Sequence, residues 1–571
     1  MLNVRLYRTC WLVAGVALIV ALLTLETPEP GPEPVLPSAI DGQGTLELEN
    51  QLAAIAPERP PGSDADLQAA QWVKGQLAQV PGGAGRVQTQ ELVARSGAER
   101  VSLRNVYLVV PGSGGLRPLP GILVLAPRDT PEGVSAGASA TAVMLRLARA
   151  SATTRHERPH LFVSVDGSTV GNAGTRWFLR RFSSFPLEAA IGLDGPGDAQ
   201  GDRIHVWTRG RTDRQSVGLA PIAERAIGRA GARVDATPSL ADQLLGLAVP
   251  QTFGEQGAAI AMGLPAVTLS GRPDSPLASA PAPTAERMEL VANAANDLLG
   301  ALDSTARVPA PDGSLEVAGK RLRPTATRLA LLLLALPVLA LAVDAAAALR
   351  RARVPLGPGV RAVGLRALPL LAALAVAHLL SLGGLLPRPA AGVPPLPAEA
   401  RFGAAAGLGL VVALAAGVLA STWSRRRARR LDVPPAAEGT AALVALAVVL
   451  VVMWIVSPFA LVLALPAAHA AAVGIAARRT WHLVALAGLA ALPILALVLN
   501  MAGHLDSNPI FATWYLVVTT TSGARGAVGP IAATLVIACL WSMALHVLLR
   551  ARKGRAAPPR PRRRVAPAPR A

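Results

Sequence analysis

Between residues 328 and 549 the chain is a succession of apolar stretches, each long enough to cross a bilayer, separated by short arginine clusters. In hydrocarbon such a stretch satisfies its backbone only as a helix, so this half of the chain is expected to be a bundle of membrane-spanning helices. The stretches fall at 328–349, 362–386, 403–422, 440–457, 459–477, 482–502 and 528–549. An eighth, Trp11–Leu25, follows the short basic segment Met1–Arg8. Its end reads Leu-Thr-Leu-Glu-Thr-Pro without a small-x-small pair, which favours an uncleaved anchor over a signal peptide. Ile510–Ser522 is apolar but short and Thr-rich, and reads as a re-entrant or interfacial piece.

Charge fixes the expected sidedness. The net charge of +19 could point to nucleic acid, yet residues 26–325 hold 31 acidic and 28 basic side chains, so the excess lies in the membrane half. Arg350, Arg351, Arg353, Arg361 and Arg366 follow the second span, Arg425–Arg430 carries five arginines after the fourth, Arg478 and Arg479 follow the sixth, and nine basic residues follow from Arg550. All of them fall on the side of the N-terminus, and Lys and Arg resist translocation. Both termini are therefore expected in the cytoplasm, the large hydrophilic segment outside it, and the chain in a plasma or inner membrane. A nucleic-acid partner is excluded and membrane lipids are implied. The two cysteines, Cys10 and Cys539, both lie in apolar segments, which excludes a disulfide framework and a cysteine zinc site.

The domains expected are a membrane anchor at 1–25, a Pro/Glu-rich linker at 26–37, an extracytoplasmic domain at 38–310, a linker at 311–327, a seven-helix membrane domain at 328–550 and a basic tail at 551–571. Within 38–310, apolar runs bounded by Gly, Pro or Asp predict strands at Val106–Val110, Ile122–Leu125, Leu161–Val165, Ala189–Leu193, Ile204–Trp207 and Ala266–Leu269. Helical patterns lie at Asp66–Leu77, Ala142–Arg149, Ala173–Phe182, Val217–Ala230 and Ala285–Leu302. This alternation predicts an α/β domain, a mostly parallel mixed sheet flanked by helices, beside an all-α membrane domain of about eight helices.

Several segments, in their order, resemble the M28 family of zinc aminopeptidases. They are Arg59-Pro-Pro-Gly-Ser63, Asn105-Val106, Leu125-Ala-Pro-Arg-Asp129 at the place of a strand-end A-H-x-D, Gly137-Ala138 with Ala142–Arg149, Phe162–Thr175, Ile191–Gly197 and Met262–Leu269. The family's dizinc chemistry needs imidazoles and carboxylates converging at strand ends, with a Glu to take the proton of the attacking water. Here the first His position is Pro127, the bridging Asp is replaced within Ser139-Ala140-Thr141, and the adjacent Glu pair is Ser168-Thr169. The last His has no counterpart, because no His lies between His205 and His378. Only Asp194 matches a ligand position, and Asp129 matches the carboxylate that orients a His. The resemblance therefore implies a pseudopeptidase with no metal and no cofactor. Zinc enters only if His156, His160 and His205 build a displaced site with Asp166, and surface histidines are the favoured reading of those three.

In open α/β sheets the crevice beyond the carboxyl ends of the strands binds ligands whatever its catalytic equipment. Arg128, Asp129, Ser168, Thr169, Asp194 and the loop from Arg272 to Pro283 are expected to rim it, around a neutral, hydroxyl-bearing floor. In the spans, His378 and His469 are the deep ionisable groups and hence the candidates in the membrane. The architecture is similar to that of the GPI-anchor attachment subunits of GPI transamidases. That similarity implies a domain that binds or presents a peptide, glycan or lipid, with possible partners in a membrane complex. The alternatives are an active zinc aminopeptidase with relocated ligands and a transporter with an accessory ectodomain.

Overall fold

The computed structural model describes residues 3–27, 39–96, 99–114, 119–134, 137–199, 201–235, 238–276, 281–387, 397, 399–431, 433–474, 480–522, 530–540 and 543. The hydrophilic half is built on an eight-stranded sheet: β1 (Gln88–Ser96), β2 (Glu99–Val110), β3 (Gly121–Pro127), β4 (His160–Val165), β5 (Leu187–Asp194), β6 (Arg203–Trp207), β7 (Arg233–Val234) and β8 (Ala266–Ser270). Their order is β1-β2-β4-β3-β5-β8-β6-β7. The centre, β4-β3-β5-β8, is parallel, and β2 and β6 run antiparallel to the central strands that they flank. The expected mixed sheet flanked by helices is present, with all six predicted strands in it.

Alternation along the central strands explains why both faces are covered. Ile122, Val124, Phe162, Ile191 and Val267 enter one core, with the helices Gly42–Ile55, Asp64–Ala78, Ser139–Thr153, Ala220–Arg229 and Ala285–Ser304. Leu123, Leu125, Leu161, Val163 and Val165 point the other way, onto Phe178 and Leu179 of Ala173–Arg181 and onto Ile260 of Glu255–Ala261. Because the four parallel strands end together, the segments after Pro127, Val165, Asp194 and Ser270 meet at one edge of the sheet.

Among the described residues six helices are long and apolar enough to cross a membrane: Val4–Leu23, Pro324–Arg351, Gly357–Leu382, Ala404–Ala428, Ala437–Val456 and Val484–His504. Of the eight expected spans, 459–477 is described only over the apolar helical segment Pro458–Gly474, with Pro466 inside its helix. The last span is described only over Pro530–Leu540, and Arg478, Arg479, His546 and the tail from Arg550 lie outside the described residues. Ile510–Ser522 forms the 13-residue helix Pro509–Thr521.

The two halves meet near the edge of the sheet where the parallel strands end. Val249 and Phe253, on the loop before Glu255, pack against a cluster holding Met501, Leu505 and Tyr515. Arg209 donates to His504, Asn500 donates to Asp242 at 2.8 Å, and Gln251 donates to Tyr515 at 3.0 Å.

Candidate functional site

The strand ends enclose a cleft with about 70 Å³ open to the centre of a water molecule. Asp129, Ser168, Thr169 and Asp194 all border it, as the sequence predicts, and so do Arg59, Asp198, Arg211, Phe253, Glu255 and Arg272. Of the rim loop, residues 277–280 lie outside the described residues.

Asp129 follows β3 and is almost wholly buried. It accepts hydrogen bonds from the Ser168 N–H at 2.9 Å, the Thr169 N–H at 2.8 Å and the Thr169 hydroxyl at 2.6 Å. The turn can offer two successive amides because Gly167 and Gly171 take φ of 75° and 69°, the left-handed region that favours glycine. Burial pushes the Asp129 carboxyl up, and these three bonds oppose the shift. Asp129 thus clasps the turn after β4.

Asp194, at the end of β5, accepts from Arg272 at 2.9 Å, and Arg272 lies over the Trp207 ring, 5.5 Å from its centroid. Burial raises the Asp194 carboxyl, with Arg272 pulling against it. Asp198 accepts from Ser139 at 3.1 Å and is also raised by burial. Glu49, on Gly42–Ile55, accepts from the Ala138 N–H at 3.0 Å, and burial pushes it up to about 7.

Arg128 is a correction to the predicted rim. It borders the cleft, but its guanidinium turns beneath the floor and is fully buried. There it donates to both oxygens of Asp66, at 2.8 and 3.0 Å, to the Arg104 carbonyl at 2.8 Å and to Ser164 at 3.2 Å. Asp166 lies 3.5 Å away and accepts from the Arg104 N–H. Burial pushes Asp166 up to about 8, against the pull of Arg128. A bidentate pair of this kind locks the helix Asp64–Ala78 to the sheet.

The neutral floor expected from the sequence is also corrected. Four carboxylates face the cleft, together with the guanidiniums of Arg272 and Arg211. Arg211 is held by the Gly171 carbonyl at 2.9 Å and by Asn172, and burial lowers it to about 10, with Glu255 opposing. Glu255 is 2% exposed, and neither of its oxygens has a hydrogen-bond partner among the described residues. Burial raises its carboxyl, with the neighbouring Ser168, Thr175 and Asn172 opposing the shift. Sequence reading missed Glu255, Arg211 and Asp198. The only local signal was that Glu255 opens the short helix just ahead of the Met262–Leu269 match.

Among the described residues the cleft lining contains carboxylates, hydroxyls and guanidiniums but no imidazole or thiolate. Asp129 and Asp194 already serve backbone amides and an arginine. That donor set does not fit a pair of zinc ions.

The membrane candidates have structural partners. His469 accepts from the Tyr7 hydroxyl at 2.9 Å through Nδ1 and donates to the Leu334 carbonyl at 2.9 Å through Nε2, with Trp11 packed 4.9 Å from its ring. It therefore ties three helices together. His378 donates to the Thr521 carbonyl at 2.9 Å.

No protein-family model matches the sequence, and no curated protein matches it. Among solved structures the chain is similar to a glutaminyl cyclase from an Acidobacteriales bacterium, at 16% identity and a TM-score of 0.37 over 48% of this chain and 99% of that one. It is similar to the LapA aminopeptidase of Legionella pneumophila at 18% identity and a TM-score of 0.37, covering 47% of this chain and 71% of that one. An aminopeptidase from Aneurinibacillus sp. strain AM-1 matches at 12% identity and a TM-score of 0.36, over 48% and 96%.

Proposed function

We propose that this chain is a multi-pass membrane protein whose aminopeptidase-like ectodomain, on the extracytoplasmic side, holds a polar ligand in the strand-end cleft without zinc-dependent hydrolysis. Both termini are cytoplasmic in this reading. The ligand is a peptide end, a glycan or a lipid headgroup, presented within a membrane complex. The observation that carries the reading is the state of the cleft carboxylates. Asp194, at the one matching ligand position, is bound by Arg272 where a peptidase would need it free for metal, and Asp129 clasps the Ser168–Thr169 turn where it would orient a histidine. The unpartnered Glu255 and the Ser168 hydroxyl leave polar groups for a ligand to satisfy.

The test is purification of the intact protein from membranes, with mass-spectrometric identification of what accompanies it, for the native chain and for Ser168→Trp. Loss of a specific small molecule or lipid in the variant, at unchanged membrane level, supports the reading. Chelator-sensitive release of amino acids from peptides by the native protein overturns it.

A further inference from the structure

At the opposite edge of the sheet, the length of β4 away from the cleft and hence about 20 Å off, two histidines and an aspartate converge. His160 opens β4, His156 lies on the loop before it, and Asp303 ends the helix Ala285–Ser304. One nitrogen of each ring and one Asp303 oxygen lie within 4.8 Å of one another. The surface position expected for these histidines is corrected: His156 is 9% and His160 3% exposed. Neither of the partners expected with them joins the group. His205 pairs with Asp235, and Asp166 is held at the other end of β4 by Arg104 and Arg128.

We propose that His156, His160 and Asp303 form a binding site for one borderline divalent cation, zinc first among them, that pins the start of β4 to the end of Ala285–Ser304. Nδ1 of His156 donates to the Arg158 carbonyl at 2.7 Å, which leaves the lone pair of the neutral ring on Nε2. Nδ1 of His160 is paired with the Ser151 hydroxyl at 2.7 Å. This arrangement, one ring nitrogen fixed by a neighbour and the other free, is how ligating histidines are oriented. Nε2 of His160 is buried with no hydrogen-bond partner and stands 3.6 Å from Asp303, too far for a hydrogen bond.

The charges suit a cation. Asp303 accepts from the Glu157 and Arg158 N–H groups at 3.0 and 2.8 Å. The nearest cation, Arg158, is turned onto the Thr305 carbonyl at 2.7 Å and onto Glu188 at 3.7 Å, leaving the Asp303 carboxylate uncommitted to it.

The two rings stack with centroids 4.1 Å apart and planes 13° from parallel, so their lone pairs run side by side. Loading therefore requires one ring to swing, and His156, on the loop, is the one free to do so. Tetrahedral zinc with bonds of about 2.0–2.1 Å places its ligand atoms about 3.4 Å apart, a small contraction from the spacing present. Three protein ligands leave a fourth position for water.

The test uses the full-length protein in detergent, purified without a polyhistidine tag and stripped of metal. Zinc is titrated against a chromophoric chelator, and Co²⁺ is followed by its visible absorption. Stoichiometric binding is expected, with tetrahedral Co²⁺ bands, a rise in Tm on zinc addition and at least about ten-fold weaker binding in His156→Ala and in Asp303→Asn. Asp194→Asn, in the cleft, leaves the affinity unchanged. His156→Ala keeps the test open if the more buried His160→Ala does not fold. Absence of stoichiometric binding, or binding untouched by His156→Ala and Asp303→Asn, overturns the proposal. Zinc lost on Asp194→Asn alone overturns both this site and the metal-free reading of the cleft.

Discussion

Arg272, from the loop after β8, and Asp194, at the end of the neighbouring β5, form an ion pair at 2.9 Å across the mouth of the cleft. Both side chains are about nine-tenths removed from water, at 14% and 15% exposure. Removing one partner leaves the other charge poorly solvated, at a cost of about 3 kcal/mol. Arg272→Ala is therefore expected to lower the thermal stability of the intact protein strongly, and Arg272→Ala combined with Asp194→Asn to recover most of the loss. Equal Tm values for the single and double variants would show that the pair is energetically idle.

Arg128 carries a larger penalty. Its guanidinium has two Asp66 oxygens, a carbonyl and a hydroxyl as partners and no contact with solvent. Arg128→Met strands Asp66 and leaves Asp166 with its remaining backbone partner, costing about 3–5 kcal/mol. The expected outcome is a sharp fall in folded protein in membranes, read by protease resistance of the ectodomain.

Glu49 gives the α/β domain an acid preference. Its carboxyl is raised from 4.5 to about 7 in the folded state, chiefly by burial. Between those values the unfolded chain releases this proton before the folded one does. The stability that the group contributes is thus fully present below pH 4.5 and lost as pH rises through about 7. Glu49→Gln keeps an acceptor for the Ala138 N–H and removes the dependence. It is expected to stabilise the protein at pH 8, by on the order of 3 kcal/mol at most, and to leave it unchanged at pH 4. Thermal unfolding of both forms at the two pH values checks this, and a variant less stable at pH 8 contradicts it.

The sidedness proposal has a direct check. Glu99 and Arg429 are exposed, whereas Ser424 is buried and a poor labelling position. In intact cells an impermeant thiol reagent is expected to label Glu99→Cys and not Arg429→Cys. The reverse pattern inverts the topology.

His469 links helices by accepting from Tyr7 and donating to Leu334. Hydrogen bonds between helices in membranes contribute about 0.6–2 kcal/mol. Tyr7→Phe and His469→Phe are each expected to lower Tm modestly in detergent, and the double variant by less than the sum. Additive losses would mean that the two side chains act separately.

How much of this was legible depends on whether the signal was local. β3, β4, β5 and β8 are buried on both faces, so each reads as a continuous apolar run. Gln88–Ser96 is an edge strand whose outward residues, Val93 apart, are polar, and only its pairing with β2 makes it a strand. Asp129, Ser168, Thr169 and Asp194 could be placed because strand ends locate them. The direction of Arg128 could not, since Asp66 stands 62 residues earlier and nothing near either residue announces the pair. Glu255 was missed for the same reason, because what makes it notable is the lack of a partner in three dimensions. The carboxylates of the floor come from three separate segments, after β3, at the end of β5 and ahead of β8, and their sum exists only once the sheet has formed.

Glu26, just after the first membrane helix, and Arg321, just before the second, exchange backbone hydrogen bonds at 2.9 and 2.8 Å, and Arg323 adds an ion pair to the Glu26 side chain. The end of the first apolar helix and the start of the second are thus held together, and the chain between Glu26 and Arg321 is an insertion into what is otherwise a helical hairpin. A graft of this kind places little demand on the helices that carry it. Replacing 27–320 with a short Gly/Ser loop is therefore expected to leave the Tyr7–His469–Leu334 contact and the insertion of the bundle intact. The α/β domain and the helices would then be able to diverge in sequence at different rates, coupled where Phe253 packs beside Tyr515, where Leu247 packs beside Phe459 and where Asn500 donates to Asp242.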